Sequence, residues 1–237
     1  MTTHTDVRGG TPAMEDHTGL ERLVFFSDAV LAIAITLLAL EIRLPAGEYA
    51  DNAALLAALL KLWPRYLSYC VSFLVIGSFW LGHHRMFRYI VRYDRRLLSL
   101  NLLLLLCIAF IPFPTTVLGE AGNAMATIFY AATMAATGLV SSLIWWYASA
   151  GGRLLAAPIS TRALRASWLR NLTTPAVFLL SIPLAFFSSD LARYSWALIA
   201  LAFVAQSDQG RARRTSAAAG AAEKETASDQ RRGSRAR

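Results

Sequence analysis

The sequence is poor in the residues that build catalytic or metal centres. Cysteine occurs twice, at Cys70 and Cys107, both inside apolar runs. There is no C-x-x-C and no metal-ligand spacing, so both thiols read as reduced packing residues and no resident metal is expected. Histidine is scarce, with four in 237 residues. The adjacent pair His83-His84 belongs to no H-E-x-x-H, which excludes a zincin site. A G-x-S-x-G elbow and a phosphate-cradling glycine loop are both absent. These absences argue against an enzyme, and no cofactor is implied. Charged residues make up only 16% of the chain, against about 25% in soluble domains. The arginines sit in short loops and the tail, so the formal charge of +8 describes no continuous face for nucleic acid. No cleavable signal peptide is evident, because residues 1–19 are polar and the first apolar run lacks a small-residue cleavage site.

What the chain has in abundance is apolar sequence. Hydrophobic residues reach 56% and the mean hydropathy is +0.44, as expected of a multi-span membrane protein. About 20 apolar residues cross a bilayer core of ~30 Å. By that measure the chain divides into a polar, disordered leader (1–19), a membrane domain (20–206) and a basic, disordered tail (207–237). Six helical spans are expected, at about 21–43, 54–82, 97–116, 124–148, 168–188 and 190–206. Pro112 and Pro114 are expected to end the third span, and Thr116-Val117-Leu118-Gly119 reads as a turn. The loops after the second and fourth spans are rich in arginine, as is the tail. The loops after the first, third and fifth are acidic or mixed, which puts both termini in the cytoplasm. Arg43, Lys61, Arg65 and Arg193 are exceptions to that asymmetry.

The first span carries the unusual chemistry. It begins Arg22-Leu23-Val24-Phe25-Phe26-Ser27-Asp28 and only then becomes wholly apolar. One reading makes Arg22 and Asp28 interface anchors. The other makes them buried groups facing protein or water, with a role. At about 100° per residue they lie roughly 240° apart, so each needs a partner on another helix or another copy. Further on, Ile33, Leu37 and Leu40 fall at i, i+4 and i+7, with Thr36 beside them. Such a stripe serves packing or lipid contact as readily as a pore.

Arg22-x-x-x-Phe26-Ser27-Asp28, followed by Ala32-Ile33-Ala34-Ile35-Thr36-Leu37-Leu38, resembles the first helix of the transmembrane protein 175 family of potassium channels. Trp80-x-x-His83-His84 resembles the paired histidines that end the family's second helix. The resemblance implies an all-α integral membrane protein of six spans per chain, a homotetramer whose first helices line a central pore. It implies a passive K⁺-preferring leak through apolar rings in a bacterial inner membrane. Carried over by register, the constricting layers are Ile33, Leu37 and Leu40, with Thr36 as the polar residue linked to selectivity. Arg22, Phe26, Ser27, Asp28, Trp80, His83, His84 and Asn101 form the implied polar network that holds the pore helix. K⁺ is then the permeating ion, and the partners are further copies of the chain and the lipid bilayer. The competing expectation is a proton-coupled secondary transporter that uses Asp28 and the His83/His84 pair. Spans 4–6 contain no second F-S-D, and Pro175 with Pro183 is weak evidence for the broken helix such transporters favour.

Overall fold

The computed structural model describes residues 12–46, 51–152, 154–156 and 161–196. These residues are almost entirely helical. In chain order the helices are α1 (Pro12–Leu40), α2 (Asn52–Lys61), α3 (Trp63–Phe87), α4 (Arg95–Phe110), α5 (Pro112–Ala121), α6 (Ala124–Ser149), α7 (Thr161–Phe187) and α8 (Ser189–Ser195). Five helical stretches are long and apolar enough to cross a membrane: 18–40, 63–87, 95–121, 124–152 and 164–187. They match the first five expected spans. Of the sixth, only α8 and Trp196 are described; the rest of that span, residues 1–11 of the leader and the whole tail lie outside the described residues. Helix α1 begins at Pro12 and so takes in part of the segment read as leader.

Helix starts follow capping chemistry. Asp51, Asp94 and Asn123 each accept from the backbone N–H three residues on, at 2.7, 2.8 and 2.9 Å, which satisfies an otherwise orphan donor. Gly122 closes α5 at φ 57°, the left-handed turn that glycine takes without a Cβ penalty.

Two proline expectations need correcting. Pro112 and Pro114 do not end the third span, and residues 116–119 are not a turn. Ile111 keeps helical dihedrals (φ −54°, ψ −38°), and the chain continues helically as α5 to Ala121. Both prolines lie in the first turn of α5, where a missing N–H costs little. Pro175 lies inside α7 and denies the Asn171 carbonyl its helical donor. The Ser142 hydroxyl of α6 approaches that carbonyl at 3.4 Å. The Pro175 ring in turn packs so closely on Gly138 that a Cβ there would stand 2.8 Å from its Cδ. The Ser142 proton goes chiefly to the Gly138 carbonyl of its own helix at 2.9 Å, so its contact with the Asn171 carbonyl is a shared one; a proline inside a membrane helix is tolerated where neighbouring helices and hydroxyls offer such contacts.

Helix α6 is central, packing against α3, α4, α5, α7 and α8. Its Trp145 and Tyr130 are fully buried, and Tyr130 meets Phe178 and Trp196 in an aromatic cluster with ring centroids 4.9–6.0 Å apart. Helix α1 lies to one side, against α3, α4 and α5. At the arginine-rich end the two basic loops are stitched together. Val91 N–H donates to the Leu154 carbonyl at 2.9 Å and Ala156 N–H to that of Tyr89 at 3.1 Å.

Candidate functional site: the two faces of the first helix

One face of α1 is used up within the chain. Leu23, Ser27, Leu31, Ala34 and Leu38 recur at helical spacing and are all buried. The other side is open. Ile33 is 57% exposed, Leu37 39% and Leu40 64%; Ala29, Ala32 and Thr36 are exposed beside them. At about 100° per residue, the centre of the open stripe lies roughly 110° around from the buried one. The Thr36 hydroxyl donates to the Ile33 carbonyl at 2.9 Å, so its proton is spent within the helix and its lone pairs face outward.

The buried face carries one polar group, and that group is fully used. The Ser27 hydroxyl donates to the Leu23 carbonyl at 2.8 Å. It accepts from the Asn101 amide of α4 at 2.9 Å. The Asn101 amide oxygen lies 3.0 Å from His83 Nε2 of α3. An amide oxygen can only accept, so a His83 proton sits on Nε2; with Nδ1 buried and offered no acceptor, that nitrogen carries none and the ring joins as a neutral donor. Ser27, Asn101 and His83 are all buried. His83 stacks on Phe87, with centroids 4.2 Å apart, and its Nδ1 is buried without a hydrogen-bond partner. This relay ties α1, α3 and α4 together through uncharged groups.

A second arm runs alongside. The Trp80 indole N–H donates to Asp28 at 2.9 Å, and the Trp80 ring stacks on His84. His84 and Trp80 are exposed. The structure therefore brings together Ser27, His83 and Asn101 in one arm and Asp28, Trp80 and His84 in the other. It leaves Arg22 and Phe26 apart. Both are exposed on the open side of α1, and no hydrogen bond or ion pair joins Arg22 to Asp28 among the described residues.

The sequence reading missed what holds the far end of α1. There Thr116 of α5 donates to Glu41 at 2.8 Å. Arg65 of α3 donates to the Arg43 carbonyl at 2.8 Å and pairs with Glu120 at 3.2 Å. It also missed a hydroxyl cluster joining α3, α5 and α6, where Ser72 lies 2.8 Å from Thr115 and 2.9 Å from Tyr130. The only signal available for that cluster was that hydroxyls in apolar spans must find partners.

These features define a polytopic helical membrane protein whose first helix is clamped along one face and apolar along the other. The family model described as "Endosomal/lysosomal potassium channel TMEM175" matches residues 22–112. A Streptomyces collinus protein named as a potassium channel is 38% identical over 185 residues, covering 76% of this chain and 89% of that one. A Chamaesiphon minutus protein named likewise is 36% identical over 171 residues, covering 70% and 84%. The crystal structure of a lysosomal potassium-selective channel TMEM175 homolog from Chamaesiphon minutus superposes with a TM-score of 0.71 at 32% identity, covering 80% of this chain and 98% of that chain. The chain belongs to the TMEM175 family.

Proposed function

We propose that the chain is a passive, modestly potassium-selective cation channel, assembled as a homotetramer around its first helices. The observation that carries this reading is the division of α1 into a face spent on internal packing and an open face bearing Ile33, Leu37 and Leu40. A helix at the side of one bundle encloses no pore, so rotational symmetry must supply the other walls. Stacked rings of Ile33, Leu37 and Leu40 then form a constriction that excludes water when narrow and passes partly dehydrated ions when slightly wider. K⁺ sheds water at lower cost than Na⁺, so an apolar ring favours K⁺ without carbonyl ligands. Thr36 offers outward lone pairs beside these rings. K⁺ is the permeating ion, and no residue is asked to do covalent chemistry. Both relatives above are named potassium channels, which favours a channel over a proton-coupled transporter.

Orientation follows from charge. The end of the bundle bearing Arg88, Arg92, Arg95, Arg96 and Arg165 faces the cytoplasm, in a bacterial inner membrane. With a sixth span completed beyond α8, both termini lie on that side.

The test is K⁺ and Na⁺ flux into liposomes for Leu37→Asn beside Ala39→Asn. Ala39 is also exposed but lies roughly 160° around the helix from Leu37. Leu37→Asn is expected to raise flux severalfold and to weaken discrimination against Na⁺, with Ala39→Asn close to the unmodified protein. Equal effects would mean that the pore face is misassigned. Leu38, although adjacent to Leu37, is fully buried and would report on folding instead.

A further inference from the structure

Helix α3 ends at Phe87 and α4 begins at Arg95. The short connection between these two consecutive spans therefore lies at the membrane surface. Four arginines fall within residues 88–96: Arg88, Arg92, Arg95 and Arg96. All four are exposed, and their guanidinium groups make no hydrogen bond or ion pair among the described residues. The one acid in the stretch is already spent. Asp94 caps α4 through one carboxylate oxygen and accepts the Tyr147 hydroxyl at the other. Arg95 and Arg96 stand in the first turn of α4, where the helix dipole is itself positive, so it adds to their charge instead of offsetting it. Arg65 and Arg193, at the other end of the bundle, reach Glu120 and Asp190.

The backbone that carries these arginines is fixed. Val91 N–H donates to the Leu154 carbonyl at 2.9 Å and Ala156 N–H to that of Tyr89 at 3.1 Å, which pairs the connection with the loop after α6 across Ile90 and Leu155. Ile90 is buried, while Tyr89 and Val91 on either side of it are 47% and 41% exposed. The connection thus presents an apolar tip between Arg88 and Arg92. A free anion or a soluble acidic polypeptide gains little from such a tip. At a bilayer surface the tip reaches the acyl boundary while the flanking cations stay at the headgroup level. Guanidinium groups match the bidentate acceptor geometry of a phosphate. We infer that the connection between α3 and α4 is a docking surface for the phosphate headgroups of anionic phospholipids, held by Arg88, Arg92, Arg95 and Arg96 and seated by Val91. Polybasic segments beside a span take such headgroups. The bound lipid supplies the counter-charge that the fold withholds, at the end of α3 that carries Trp80 and His83.

The test uses the full chain, purified in a neutral detergent, with native mass spectrometry counting retained phosphatidylglycerol against phosphatidylcholine. Variants are Arg88→Gln with Arg92→Gln, Arg95→Gln with Arg96→Gln, Val91→Asn, and Arg165→Gln as an exposed control on α7 at the same end. The replaced side chains are exposed, so each variant should keep the size-exclusion profile of the unmodified protein. The unmodified protein should prefer phosphatidylglycerol. Each arginine removed from the connection should weaken that preference about fivefold, so each pair should weaken it roughly 25-fold. Val91→Asn should lower retention of both lipids without changing the preference, and Arg165→Gln should leave both intact. Retention by the paired variants equal to that of the unmodified protein would overturn the assignment. An equal loss per arginine in Arg165→Gln would reduce the effect to general surface charge and overturn it too. Displacement of phosphatidylglycerol by inorganic phosphate, with Val91→Asn silent, would replace the lipid with a free anion. An unmodified protein without preference between the two lipids would also overturn the assignment and leave the arginines to an acidic polypeptide. The readout is binding in detergent, so it stands or falls independently of ion conduction.

Discussion

The two ends of α1 are held by different physics. At the Ser27 end the clamp is buried and neutral: Ser27, Asn101 and His83 pass hydrogen bonds from one helix to the next without a charge. At the Glu41 end it is ionic and half wet, with Arg65 25% and Glu120 55% exposed. A buried neutral network is costly to break, since each orphaned group loses its partner where no water can replace it. An exposed ion pair is cheap to break, because water and salt compete for both partners. Helix α1 is therefore firmly seated at one end and loosely tethered at the other. If α1 lines a constriction as proposed, the fixed end would set its register and the compliant end would allow displacement.

The sharpest way to break this comparison is Asn101→Ala. The change orphans the buried His83 Nε2–H and removes the donor to Ser27. Two such losses at about 1–3 kcal/mol each predict a destabilisation of roughly 2–6 kcal/mol. The expected result is a marked fall in the temperature at which the purified protein leaves its size-exclusion peak, with little dependence on salt. A loss that disappears in high salt would mean that this end, too, is held by charge.

How far these ends were legible in the sequence follows the same division. The five described spans could be read because long apolar runs have one physical meaning. The open stripe of Ile33, Leu37 and Leu40 could be read because periodicity on one helix is a local property. Ser27, His83 and Asn101 could be grouped only through the family resemblance, since spacing along one helix does not say what faces it across a gap. The Arg65–Glu120 and Glu41–Thr116 contacts were not read at all, because their partners lie 55 and 75 residues apart. A clue was present, however. Arg43, Arg65 and Arg193 violate the charge asymmetry of the loops, and a positive charge on the wrong side calls for an acceptor. Arg65 and Arg193 have one at the structure's acidic end. The extent of the third span was misjudged because a proline in a first turn looks, in sequence, like a proline that ends a helix.

Gly119 sharpens the comparison at the loose end. A Cβ there would stand 2.7 Å from Ser68 Oγ and 3.3 Å from the Arg65 backbone. The glycine therefore lets α5 approach α3 closely enough for Glu120 to meet Arg65. Gly119→Ala should cost about 1–3 kcal/mol through overpacking. It should also displace Arg65 from the Arg43 carbonyl. Measured as a melting shift, the loss should fall below that of Asn101→Ala. On the proposed channel reading its mark should be in conduction, because the Glu41 end of α1 loses its tether while the buried relay stays whole.

The smallest effect belongs to the ion pair itself. Arg65 and Glu120 are 3.2 Å apart but partly exposed, and pairs of that kind contribute about 0.2–1 kcal/mol. Arg65 also donates to the Arg43 carbonyl, so Arg65→Gln should cost slightly more than Glu120→Gln. A double-mutant cycle separates the two contributions. The coupling between Arg65→Gln and Glu120→Gln should be under about 1 kcal/mol at low salt and should shrink further at high salt. The remaining cost of Arg65→Gln, which belongs to the carbonyl of the α1 terminus, should persist. A coupling as large as the Asn101→Ala loss and indifferent to salt would show that both ends of α1 are clamped alike. The compliant end would then have to be sought elsewhere in the bundle.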